Sequence, residues 1–173
     1  MAKTLIAFFS RADENYFGGS MRYIEVGNTE IVAGKIRNQI DADMFKIEMK
    51  NPYSKEYNPC IEEAKKDKQS NARPELVSLP DSIEEYETII LGYPNYWGTM
   101  PMAVFTFLES FSFDDKTILP LCTNEGSGMG SSEGDIKKLC PGASIRKGLS
   151  LSGSRVNSSD SQIENWLNEN GLM

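Results

Sequence analysis

The chain has 173 residues, 39% of them hydrophobic and 25% charged, with a formal net charge of −7 and a pI near 4.7. That length suits one domain with a sizeable core, and the acidic balance excludes a nucleic-acid binder, because a phosphate backbone would be repelled. Histidine is absent, which removes the Ser-His-Asp triad, the Cys-His pair and the usual zinc hydrolase site, so that any chemistry falls most simply to a bound cofactor.

No apolar run approaches the roughly 18 residues that a membrane span requires, and the short run Leu5 to Phe9 lacks the length and cleavage site of a signal peptide. A cytoplasmic protein is expected, with no membrane association. Cys60, Cys122 and Cys140 are odd in number and widely spaced, so neither a disulfide framework nor a zinc site is indicated.

Residues 3–9 form a near-continuous apolar run, the pattern of a parallel strand covered on both faces. Ser10 and Arg11 follow. Residues 12–26 read as irregular, with Gly18-Gly19 and the aromatics Tyr16, Phe17 and Tyr23. A helix then starts with Asn28 or Thr29 as N-cap, and Val32, Ala33, Ile36 and Ile40 recur at helical spacing. A second strand is expected over 43–48 and a charged helix from Pro59 to about Ser70, with Ile61 and Ala64 inward. The segment 71–82, with Pro74 and Pro80, reads as a connection.

The third strand, Thr88 to Tyr93, runs into Pro94-Asn95-Tyr96-Trp97-Gly98, and a short helix follows from Pro101 to Ser110. A fourth strand is expected over 117–122 despite Pro120, which donates nothing to a ladder. The polar, glycine-rich loop Thr123 to Gly130 leads to a helix over about 131–140. A fifth strand over 144–151 and a last helix over about 160–170, with Ile163, Trp166 and Leu167 inward, close the chain.

Five strand–helix alternations argue for an α/β fold: one domain, residues 1–173, built on a doubly wound five-stranded parallel sheet of order 2-1-3-4-5 with helices on both faces. That order makes strands 1, 3 and 4 neighbours, and ligands of such sheets bind outside the carboxyl ends of the strands. Three unusual loops converge there. Asn28 and Thr29 at a helix start offer donors to a phosphate, Ser10 adds a hydroxyl and Arg11 a charge. Trp97 offers a stacking face, or else it only covers the sheet end. The glycines at 126, 128 and 130 let backbone approach a ring edge, or else they form a plain connection. Together the loops fit a flat, phosphorylated ligand. There is no phosphate-binding G-x-x-x-x-G-K-[ST], and Gly126-x-Gly128 meets Ser131 where a dinucleotide fingerprint wants a third glycine.

The chain resembles the flavodoxin-like family of FMN proteins over essentially its whole length. Leu5 to Ser10 followed by Gly27-Asn28-Thr29 is similar to the family's phosphate loop. Gly92-Tyr93-Pro94-x-Tyr96-Trp97-Gly98-x-x-Pro101 is similar to its second loop, and Thr123-Asn124-Glu125-Gly126-Ser127-Gly128 to a third loop of one branch. Flavodoxin with FMN at its switch point is itself an instance of the crevice rule, so the site's location is borrowed from that rule.

The resemblance implies FMN held by Ser10, Arg11, Asn28, Thr29, Pro94, Asn95, Tyr96, Trp97, Gly98, Thr123, Asn124, Glu125, Gly126, Ser127 and Gly128, with no classical catalytic residue and no metal. It differs from the family pattern in two ways. Residues 12–26 interrupt the phosphate loop, so that Arg11 lies in the phosphate site or turns away, and Tyr16, Phe17 and Tyr23 cover the flavin or pack on the surface. The third loop also lacks the aromatic that electron-transfer flavodoxins commonly stack on the ring.

Two functions follow: electron transfer to a redox partner protein, or an NAD(P)H-dependent FMN oxidoreductase acting on quinones or similar small-molecule acceptors. The acidic charge leans to the first and the missing aromatic to the second. A response-regulator receiver fits poorly, because Ser10-Arg11 and Gly92-Tyr93 stand where it needs acidic residues. A non-enzymatic, protein-binding α/β domain is the remaining alternative.

Overall fold

The structure is a computed structural model and describes residues 3–173. At its centre β1 (Lys3–Phe8) pairs in parallel with β4 (Asp43–Lys46) on one side and β5 (Tyr86–Pro94) on the other. Next to β5 lies β6 (Thr117–Asn124), and beyond β6 lie β7 (Ser144–Ile145) and β8 (Leu149–Ser152), all parallel. The order β4-β1-β5-β6-β7, with β8 also on β6, is the expected 2-1-3-4-5.

Alternation along β1 explains the two-sided core. Leu5, Ala7 and Phe9 enter one apolar cluster and Ile6 and Phe8 the other. The first cluster is closed by α3 (Met102–Glu109) and α4 (Ser132–Leu139). The second is closed by α1 (Asn28–Arg37) and α5 (Asp160–Glu169), through Val32, Ile36, Ile163 and Leu167. α2 (Tyr57–Gln69) packs beside α3. No helix among the described residues is long and apolar enough to cross a membrane.

Three expectations are corrected. The single fifth strand over 144–151 is two strands, and the cause is Pro120. Arg146 N donates to Ile118 O at 3.0 Å. The next rung of a parallel ladder would run from the N–H of residue 120, which proline lacks. The chain leaves the sheet there, and Gly148 N turns to Glu133 Oε2 at 3.0 Å. A Cβ on Gly148 would stand 2.5 Å from Met129 Cε.

Residues 12–26 are not irregular throughout. β2 (Asp13–Phe17) and β3 (Ser20–Ile24) pair in an antiparallel hairpin separate from the main sheet. Gly18 and Gly19, at φ +47° and +111°, supply the two left-handed residues that a tight hairpin turn needs.

The N-cap of α1 is Gly27, neither Asn28 nor Thr29. No side chain fits at Gly27, where a Cβ would stand 2.1 Å from Ser10 Oγ. That hydroxyl does the capping instead, accepting from Glu30 N at 3.1 Å.

Candidate functional site

The loops after β5 and β6 form one knitted platform. Asn95 N donates to Thr123 O at 3.0 Å, and Asn95 Nδ2 donates to Gly128 O at 2.8 Å. Asn95 Oδ1 accepts from Gly98 N at 2.9 Å. Trp97 and Gly98, at φ +56° and +88°, make a tight turn closed by Tyr96 N on Thr99 O at 2.8 Å. Gly130 lies so near this turn that a Cβ would sit 2.1 Å from Gly98 O, which accepts from Ser131 N at 2.7 Å. Beneath it, the buried Tyr93 hydroxyl donates to Ser132 Oγ at 2.8 Å. In the third loop Asn124 Oδ1 accepts from Gly126 N at 2.9 Å and Gly128 N at 3.0 Å. Those glycines therefore serve the loop's own left-handed turns.

Above the platform, at the carboxyl ends of β1, β5 and β6, opens a cavity of about 460 Å³. Its floor and rim carry Pro94, Asn95, Tyr96, Trp97, Gly98, Thr123, Asn124, Glu125 and Ser127, together with Arg11 and Asn28 from the first loop. Four expected residues do not line it: Ser10, which caps α1; Thr29, whose buried hydroxyl shares a 2.8 Å bond with Thr123 Oγ1; and Gly126 and Gly128. Arg11 reaches the cavity wall, but its guanidinium donates to the backbone carbonyls of Glu14, Ser54 and Lys55.

Two further walls close the cavity. α2 contributes Tyr57, Cys60, Ile61 and Ala64, and the hairpin contributes Asn15 and Tyr16. Of the two places open to Tyr16, over a ligand or on the outer surface, it takes the first: it lines the cavity while remaining 41% exposed. Gly153, after β8, completes the rim, and nothing in its local sequence singled it out. For α2 the only signal was the apolar pair Ile61 and Ala64, which reads as core.

The hairpin spans the cavity by contacts at both ends. Glu14 Oε1 accepts from Tyr57 N at 2.9 Å, capping α2, and Glu14 N donates to Lys55 O at 3.1 Å. At the far tip Gly18 N donates to Glu125 Oε2 at 3.3 Å.

Trp97 leans on α2. Its indole N–H donates to Ile61 O at 2.8 Å, and Lys65 Nζ stands 5.2 Å from the ring centroid. Tyr96 packs edge-on against Phe9, with ring centroids 5.9 Å apart. Burial pushes the Tyr96 phenol and the Cys60 thiol up from their ordinary ranges, so both are neutral near pH 7 and Cys60 is not an activated nucleophile.

The family model described as Flavodoxin matches residues 19–170. The chain belongs to this flavodoxin family. Among solved structures, this family member is similar to a presumed flavoprotein from Bacteroides eggerthii, with 25% identity over 100% of both chains and a TM-score of 0.80. A presumed flavoprotein from Bacteroides uniformis is 26% identical over 96% of this chain and 98% of that one, with a TM-score of 0.78. A flavoprotein in complex with FMN from Lactobacillus acidophilus shares the fold at 18% identity, covering 91% of this chain and 98% of that one, with a TM-score of 0.66. No curated protein matches the chain.

Proposed function

We propose that this flavodoxin-family protein binds FMN non-covalently in the cavity and carries electrons between protein partners as a single cytoplasmic domain. The observation that carries the reading is the cavity itself: about 460 Å³ at the strand carboxyl ends, with Trp97 on one loop and Tyr16 on the hairpin among its lining residues. Tyr16 supplies an aromatic that the third loop lacks, so the main sequence argument for a face left open to a small substrate weakens.

The donor set fits the cofactor. The first turn of α1 leaves backbone N–H groups without intrahelical partners, which suits a phosphate. The aromatic and apolar lining suits a flat ring. FMN would supply the redox chemistry. Trp97 and Tyr16 hold and shield the ring, the Asn95 and Asn124 bonds fix the platform under it, and the hairpin excludes water. No side chain acts as a general base. The net charge of −7 favours a partner with a basic face. The second reading, an oxidoreductase taking hydride from NAD(P)H, draws support from Lys65 and Lys68 beside Trp97 on a chain otherwise acidic.

The test is an absorbance spectrum of the purified protein, followed by NAD(P)H addition in air. Flavin bands that persist support the carrier. Bands that bleach turn the assignment to a reductase. A colourless protein that takes up no added FMN refutes both.

A further inference from the structure

Tyr53 stands between the cofactor cavity and a second depression. Its ring lies 6.4 Å, centroid to centroid, from that of Tyr96, which lines the cavity. Tyr53 itself lines the second depression, of about 400 Å³, together with Asp67 and Arg73. The Tyr53 hydroxyl donates to Asp67 Oδ2 at 2.7 Å, a charge-assisted bond, and its ring is partly buried against the apolar core. Burial and the Asp67 carboxylate push the phenol above its ordinary range, so it keeps its proton near neutral pH.

That bond is what the oxidation of a phenol needs. A tyrosine that loses an electron becomes a strong acid, and the oxidised state settles on it where a base takes the proton. Among the described residues no ring lining the cavity donates to a carboxylate. The Tyr96 hydroxyl is met by the Cys60 thiol, and the Trp97 indole N–H donates to the Ile61 carbonyl. One other described tyrosine has a carboxylate partner: Tyr86 donates to Asp43 Oδ2 at 2.7 Å. Tyr86 and Asp43 begin β5 and β4, so that pair sits at the opposite end of the sheet from the cavity. The aromatic contacts of Tyr96 are with Phe9 and Tyr53, and they do not include Tyr86.

We propose that Tyr96, Tyr53 and Asp67 form a one-electron relay that drains an oxidising equivalent from the cavity to the second depression. The proposal rests on the flavin reading above, and its oxidant is the photoexcited, oxidised flavin ring. Tyr96 gives that ring one electron and takes one from Tyr53. The Tyr53 O–H bond breaks, its proton forms an O–H bond on Asp67, and a neutral phenoxyl radical remains on Tyr53. One electron is gained by the ring, one is lost by Tyr53, and the proton stays within the protein. Return of that electron to Tyr53, with the proton from Asp67, restores both residues. Because the electron and the phenoxyl are then on opposite sides of Tyr96, the return is slow. The further activity is therefore a light-driven charge separation, and Tyr53 is its end point.

The test is flash photolysis of the FMN-loaded protein, with the phenoxyl radical followed by its ultraviolet absorption and by electron paramagnetic resonance. Wild type is expected to give a long-lived tyrosyl signal whose formation slows in deuterium oxide. Tyr53→Phe keeps the ring and removes the hydroxyl, and it is expected to lose that signal. Asp67→Asn keeps the side-chain shape and removes the base, and it is expected to lose the signal too. Tyr86→Phe removes the other carboxylate-bonded phenol and is expected to match wild type. FMN titrations and thermal melts check that every variant loads and folds. A long-lived signal that survives Tyr53→Phe or Asp67→Asn overturns the relay and leaves the flavin reading standing. So does an equal loss in Tyr86→Phe, the absence of a solvent isotope effect, or the absence of any tyrosyl signal in FMN-loaded wild type. A wild-type protein that takes up no FMN overturns the flavin reading and the relay with it.

Discussion

The two sides of the cavity are built differently. The platform under it is made of loops after β5 and β6 joined by side-chain and backbone bonds near 2.8–3.0 Å, set directly on the buried core. The hairpin over it is a separate two-stranded sheet whose outer residues Met21 and Tyr23 are 45% and 64% exposed. It is held by Arg11 and Glu14 at its base and by one longer bond at its tip. An isolated two-stranded hairpin is marginal in water, so its order depends on those anchors. A ligand would therefore meet a fixed floor and a roof that opens at lower free energy than the global fold.

The largest effect should come from breaking the floor. Gly130→Ala places a Cβ against the Gly98 carbonyl at a φ of +57° and should cost about 2–4 kcal/mol. A thermal melt should fall by several degrees and flavin uptake should fail with it. A melt within a degree of wild type would mean that the two loops move independently.

Loosening the roof should cost less. Arg11→Ala removes donors to three carbonyls, and a loss of about 1–2 kcal/mol is expected. It should be local: hydrogen exchange should quicken across Asp13–Ile24 while the sheet amides keep their protection. Exchange rising equally in β5 would show that hairpin and floor open as one unit.

Trp97→Ala touches the rim where the two regions face each other. Loss of stacking should weaken flavin binding by about 1 kcal/mol and raise the fluorescence of bound flavin. Quenching that persists would pass the stacking role to Tyr16 or Tyr96.

The smallest effect is expected from pH. Burial pushes the Cys122 thiol from 9.0 up to about 12, so the native state keeps a proton that the unfolded chain releases. Its contribution to stability is complete below pH 9 and is lost as pH rises from 9 towards 12. The buried phenols of Tyr93 and Tyr96 act in the same direction from pH 10 upward. Melts between pH 8 and 11 should fall, and Cys122→Ala should flatten the early part of the slope. An unchanged slope would assign the loss to the other buried thiols, Cys60 and Cys140, and to the tyrosines.

The sequence by itself determined the parallel sheet as far as β6. Strands such as Leu5–Phe9 and Ile89–Leu91 are apolar on both faces, helices such as Asp160–Glu169 carry one apolar stripe, and their alternation calls for a parallel sheet covered on both faces. Pro94 to Gly98, with Thr123, Asn124, Glu125 and Ser127, line the cavity and sit next to strands already legible. Tertiary structure decided the rest. That Thr29 turns inward to Thr123, that Arg11 serves the hairpin, and that α2 walls the cavity all depend on partners between 43 and 94 positions away, about which local pattern says nothing. The same holds for Gly153, whose close neighbours Asn28 and Glu125 are distant in the chain. Burial and periodicity are properties of neighbours along the chain and can be read from it; a cavity between loops is a property of the folded surface alone.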